Sequence, residues 1–230
     1  LTSIWKRLIV CMFIVILSGC GTANDNEDYT KIYKDFLDYV LGDWTIVETG
    51  NKLQESDYFF EYNVNYKTWV ISYKDNKGNE KNLKLDNRES INNHMFDHFT
   101  ELFHEELERE MGKTPDYLTI KPHILVEYQV DDEDPDKFFN KYKDVYNLKD
   151  FSLSNVFENP NMYVEVHFAL TDSAISKDEK INMVQEKADE LLQLFPRANL
   201  KISLYWDTAE DWEYYDYIQG KQVDHKTQRN

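Results

Sequence analysis

Basic residues are scarce in this chain: 26 Lys and Arg stand against 43 Asp and Glu, a formal charge of −17. Phosphate binding needs a basic stripe, and none exists here, so nucleic acid is excluded as a partner. Cysteine is nearly missing, with only two, Cys11 and Cys20. There are 7 glycines and 5 prolines. No Gly-x-Ser-x-Gly elbow and no phosphate-cradling glycine loop occurs. Tight glycine loops carry many active sites, so their scarcity argues against an enzyme. The one long apolar run has ten residues, and the mean hydropathy is −0.69. A polytopic membrane protein is excluded. Aromatics are plentiful, with 16 Tyr, 13 Phe and 5 Trp among 230 residues. A disordered chain is poor in such residues. The length suits one domain with a proper core, or two small ones.

The N-terminus reads as an address. Lys6 and Arg7 form a short positive region, and Leu8 to Leu17 is continuously apolar. A membrane-spanning helix needs about 20 apolar residues, so this run fits the hydrophobic region of a signal peptide. Leu17-Ser18-Gly19-Cys20 follows directly and resembles the lipobox of bacterial lipoproteins. The resemblance covers residues 1–21. It implies cleavage between Gly19 and Cys20 and a diacylglyceryl thioether on Cys20, with no other cofactor. Each buried acyl CH2 contributes about 0.8 kcal/mol, so two chains anchor stably where one is marginal. The expected location is the outer face of a bacterial cytoplasmic membrane. Loss of residues 1–19 removes Lys6 and Arg7 and no acid, taking the charge from −17 to −19. Cys20 would be the sole remaining cysteine. That excludes a disulfide, a cysteine nucleophile and cysteine-ligated zinc within the mature domain. Such a charge beside anionic lipid favours a basic partner or a cation.

Residues 20–28 read as a short polar tether, 29–220 as the folded domain and 221–230 as a polar tail. Tyr29 to Leu41 has helical spacing, with Gly42 as its stop. Trp44 to Thr49 is rich in strand formers. From Tyr58 the period is two, continued by Trp69, Ile71 and Tyr73. Asp75 to Asn79 is a turn, and Leu83 and Leu85 suggest a return strand. Glu89 to Met111 is the longest helical pattern. His123 to Val130 is expected as a strand, Pro135 opens a helix reaching about Asn147, and Asn159-Pro160-Asn161 is a turn. Tyr163 to Leu170 is a strand. Ser176 to Phe195 is a helix with a Ser176/Glu179 capping box. The face Leu200, Ile202, Leu204 and Trp206 marks another strand, and Trp212 to Ile218 a last one. The expected class is α+β: an antiparallel or mixed sheet covered by helices, in a single domain. Thr114-Pro115 could divide two subdomains, although no linker composition marks a boundary.

Three constellations bear on chemistry. His94 and His98 lie four apart on one helix face, the spacing of two metal ligands, with Glu101 and Glu105 continuing it. The segment His94-Met95-Phe96-Asp97-His98 lacks the zincin glutamate, and the face lies opposite the apolar stripe, where solvent explains it as well. Asp131 to Asp136 holds five acids in six positions and offers oxygen ligands for calcium. It lacks the EF-hand glycine and spacing, and acids also suit a helix N-terminus. His123, Glu127, Glu165, His167 and Tyr205 fall on the outward side of three expected strands. Paired, they could form a proton-moving cluster, or simply a solvated sheet face. No catalytic residue is assigned.

Tyr205 to Gln219 is the most distinctive segment, with six aromatics, five acids and no Lys or Arg. Aromatic anchors with acids suit a basic protein partner, which makes Trp206, Asp207, Glu210, Asp211, Trp212, Tyr214, Tyr215 and Asp216 the expected contact residues. The alternative is a C-terminal strand with its rings in the core and its acids in solvent. The leading expectation is a membrane-anchored, non-enzymatic protein-binding lipoprotein, of the kind that neutralises a secreted toxin as an immunity or antagonist protein. The alternatives are a metal-dependent envelope hydrolase and a peptide- or glycan-binding lipoprotein.

Overall fold

A computed structural model describes residues 28–54, 64–115, 118–125, 134–168, 176–205, 212–218 and 220–228. The chain is α+β, with two sheets and helices packed on them. Helices α1 (Tyr29–Ile32) and α2 (Lys34–Leu41) form the expected N-terminal helix, interrupted at Tyr33. Gly42 stops α2 with φ at +72°, and its N–H bonds the Asp38 carbonyl. The first sheet is an antiparallel meander of β1 (Trp44–Gln54), β2 (Val64–Lys74) and β3 (Glu80–Asp86), in chain order. Trp69, Ile71 and Tyr73 alternate into the core from β2, joined by Leu83 and Leu85 from β3. The Asp75 carboxylate shapes the β2–β3 turn by accepting from the backbone N–H groups of Lys77 and Asn79. The expected strand residues Tyr58 to Asn63 lie outside the described residues.

Helix α3 (Ile91–Met111) begins at Ser90, whose hydroxyl accepts from the Asn93 N–H. The second sheet contains β4 (Leu118–Ile124), β5 (Met162–Phe168), β6 (Leu200–Tyr205), β7 (Trp212–Ile218) and β8 (Lys221–Gln228), again in chain order. All its pairings are antiparallel except β5 with β6. A parallel pair needs a crossover, and α6 (Lys177–Leu194) provides it. Ser176 and Glu179 close the capping box at its start. Between β4 and β5 come α4 (Pro135–Tyr142) and α5 (Leu153–Glu158).

Several elements differ from the sequence reading, β1 among them, which runs on past Thr49 to Gln54. β4 begins at Leu118, because Pro122 occupies an outer strand that can spare its N–H; Val126 to Val130 lie outside the described residues. The helix opened by Pro135 stops at Tyr142, followed by turns. Helix α5 has no counterpart among the expected elements. The segment 221–228 is not a free tail but strand β8, paired to β7.

The switch from one sheet to the other falls at Thr114-Pro115, yet a single buried cluster spans both. Phe36 of α2 packs edge-on against Phe138 of α4 at 4.8 Å. Phe99 of α3 meets Phe151 at 5.4 Å, and the Lys149 N–H bonds the Val40 carbonyl at 2.8 Å.

Candidate functional site

The second sheet turns Ile120, Val164, Val166, Leu200 and Ile202 onto the core. Alternate residues of β4, β5 and β6 therefore project to the opposite side. Register aligns Lys121, Glu165 and Lys201 in one row, and Thr119, His167 and Ser203 in the next. His123 faces Tyr163.

Glu165 is the centre of this face, and only 8% of it is exposed. The Ser203 hydroxyl donates to its Oε1. His123 Nε2 stands 3.1 Å from Oε2 but off the line of a hydrogen bond, and His167 Nδ1 is 3.9 Å from the same oxygen. Both imidazole nitrogens are buried without a hydrogen-bond partner. The Tyr163 ring stacks on His123, 4.9 Å between centroids and 7° from parallel. Burial pushes the Glu165 carboxyl up, but the His123 imidazole, the Ser203 hydroxyl and the Lys201 charge outweigh it and hold the group at about 2. Burial lowers the His167 pKa against the pull of Glu165, with Lys121 and His123 adding to the lowering. Glu165 is thus a fixed anion, and His167 favours its neutral form.

This order of groups limits the chemistry. A serine nucleophile needs a base on its proton. Here the Ser203 proton goes to the acid, and the imidazoles approach the acid's other oxygen. His167 stands beside Ser203 in register, but the serine proton is directed to Glu165, whose pKa of about 2 makes it a weak base. What the face can do is present charge and hydrogen-bonding groups to a ligand lying across it.

Of the residues expected in this cluster, His123, Glu165 and His167 come together. Glu127 lies outside the described residues. Tyr205 holds the next alternate position of β6, in register with Trp212. Ser203 escapes sequence reasoning: it belongs to the cluster only because β5 and β6 pair in parallel, which no local pattern reveals.

His94 and His98 do not share a solvated face. His98 is buried, and its Nε2 meets the Tyr73 hydroxyl at 2.9 Å. His94 Nε2 turns instead to the backbone of Asp86, 3.1 Å from N and 2.8 Å from O. Among the described residues, no group of three or more His, Cys, Asp or Glu is arranged to hold a metal ion. In the acidic run, Asp131 to Glu133 lie outside the described residues. Asp134 is the N-cap of α4, accepting from the Asp136 and Lys137 N–H groups at 3.2 Å.

Cys20, Trp206, Asp207, Glu210 and Asp211 also lie outside the described residues. Trp212, Tyr214, Tyr215 and Asp216 belong to β7, which is interior to the sheet between β6 and β8. Asp216 is in register with Lys201 and Tyr214 with Ser203, which continues the rows of the Glu165 face into β7. Tyr215 is in register with Ile202. No helix among the described residues is long and apolar enough to cross a membrane.

The chain matches no family model, no curated protein and no solved structure.

Proposed function

We propose that this chain is a lipid-anchored, extracytoplasmic binding module without catalytic activity. It holds a basic protein at the outer face of a bacterial membrane, as an immunity or antagonist protein against a secreted toxin does. The observation that carries the reading is the register of the second sheet. It puts Asp216 in register with Lys201 and Tyr214 with Ser203, next to the fixed Glu165 carboxylate. The excess of acids selects a basic partner and speeds its approach. The Ser203–Glu165 bond supports a binding role over a catalytic one, because it ties up the hydroxyl beside the imidazoles. The lipobox supplies the location.

The test uses the processed chain as bait against the secreted proteins of the producing cell, at low and high salt. One basic protein should be retained at low salt and released at high salt. Asp207→Asn, Asp211→Asn and Asp216→Asn together should weaken that retention. Retention unchanged by the three substitutions would remove β7 and its approach from the contact surface.

A further inference from the structure

The first sheet ends in an open edge. Strand β1 is outermost in the order β1-β2-β3, and among the described residues its outer side pairs with no strand. From Glu48 to Gln54 it pairs with β2 without interruption, past the register shift at Val47. Thr45 to Thr49 and Asn51 to Leu53 are all exposed. Among them Ile46, Val47 and Leu53 are 43%, 56% and 52% exposed. An outermost strand with apolar side chains in solvent is a template for another strand.

The order of residues selects the strand that fits. Two copies of β1 can pair antiparallel about a two-fold axis, so that each contact occurs twice. Successive side chains alternate between faces, so opposed residues must share a face and the axis must fall on a residue. An axis on Glu48 or on Lys52 sets like charge against like. An axis on Thr49 sets Glu48 against Gly50 and Lys52 against Ile46, and one on Asn51 sets Lys52 against Gly50 and Glu48 against Gln54. With the axis on Gly50, Glu48 of each copy opposes Lys52 of the other. The same register opposes Thr49 to Asn51 and brings Val47 to Leu53, the two most exposed apolar residues of the strand. Opposite charges directly across stabilise a strand pair, and like charges destabilise it. Lys52 is also in register with Tyr66, whose ring lies 3.7 Å under the Arg88 guanidinium. The incoming Glu48 carboxylate thus joins a row that carries two cations.

We propose that β1 is a dimerisation edge: two copies of this chain pair their β1 strands antiparallel about Gly50 and join their first sheets into one. The overall charge of −17 opposes self-association, but at physiological salt repulsion between exposed charges is screened beyond about 8 Å. One strand pair makes a small interface, so the dimer is reversible and is best read by covalent capture. The inference stands apart from the partner reading, which rests on the second sheet.

The test uses two differently tagged forms of the full chain, Thr49→Cys and Asn51→Cys, mixed in detergent micelles under mild oxidation. Residues directly opposed in an antiparallel pair lie about 4.5–5.5 Å apart at Cα, within reach of a disulfide. The parent chain, with only Cys11 and Cys20, sets the background. The mixture should cross-link between tags, and either form alone should stay at background. Glu48→Lys in both forms should slow cross-linking about tenfold, by creating two Lys–Lys pairs. Adding Lys52→Glu to it should restore the rate, which a folding defect would not allow. No cross-link above background, equal cross-linking of one form alone, or a rate indifferent to Glu48→Lys would overturn the proposal.

Discussion

The Tyr73 hydroxyl and His98 Nε2 meet 2.9 Å apart, joining β2 to α3 inside the core. His98 Nδ1 lies 3.5 Å from Glu101 Oε2 on its other side. A carboxylate accepts only, so Nδ1 carries the proton and Nε2 accepts from Tyr73. Burial lowers the His98 pKa, opposed by Glu101, and raises that of the Tyr73 phenol, so the ring stays neutral and the hydroxyl stays a donor.

Tyr73→Phe removes that donor and leaves a buried imidazole nitrogen unsatisfied. The expected loss is about 1–3 kcal/mol, measured by urea unfolding at neutral pH. An unchanged midpoint would mean that another group satisfies His98.

Glu165 should be the largest single contributor to the acid limb of the stability curve, beside Asp28, Asp38, Asp75 and Asp86, whose carboxyls are also lowered. Its carboxyl titrates at about 2 in the folded chain against an ordinary 4.5. A depressed carboxyl stabilises fully above its unfolded value and loses that contribution as pH falls from 4.5 towards 2. The contribution is on the order of 3 kcal/mol. His167, also lowered, acts in the same direction over a higher range, as pH falls below 6.5. Glu165→Gln should flatten the profile between 4.5 and 2 and, by removing the pull of Glu165 on the His167 proton, steepen the loss below 6.5. A profile of unaltered shape would place the acid sensitivity elsewhere.

Phe138→Ala tests whether the two sheets share one core. Phe138 is fully buried and packs on Phe36, Tyr33 and Tyr142. A loss of about 3–5 kcal/mol is expected, with calorimetry still recording one transition. Two separated transitions would show that the halves unfold independently.

Gly220 and Gly78 form a matched pair, since both have positive φ, +74° and +79°. A Cβ at Gly78 meets open space, whereas at Gly220 it would fall on the carbonyl of Pro196. Gly78→Ala should cost about 1–2 kcal/mol, from the left-handed backbone alone. Gly220→Ala should cost clearly more, because the β7–β8 hairpin must shift. Equal melting temperatures for the two variants would contradict this.

The first sheet is legible because Trp69, Ile71 and Tyr73 alternate, as Leu83 and Leu85 do, and its turn is written in Asp75 to Asn79. The long helices are legible from their stripes and from Ser90 and Ser176 at their starts. The start of β4 is hidden because Pro122 argues against a strand, and only knowledge that the strand is outermost removes the objection. β8 reads as a tail because its composition is polar, as edge strands often are. His98 reads as solvated because it lies off the apolar stripe of α3; its partner is contributed by β2, far away in sequence. The same holds for the site. Alternation alone puts His123, Glu165 and His167 on one side, but Ser203 joins them only through a parallel register set by the α6 crossover.

In both sheets the spatial order of strands equals their order along the chain. A polypeptide that emerges N-terminus first can therefore lay each new strand against one already formed. No strand has to be inserted between two that have already paired. Growth of the second sheet must wait twice, at the connection 125–161 that carries α4 and α5 between β4 and β5, and at the α6 crossover between β5 and β6. At either pause an unpaired strand edge stays open until the next strand arrives, so those two connections are where the folding chain is exposed to wrong pairing.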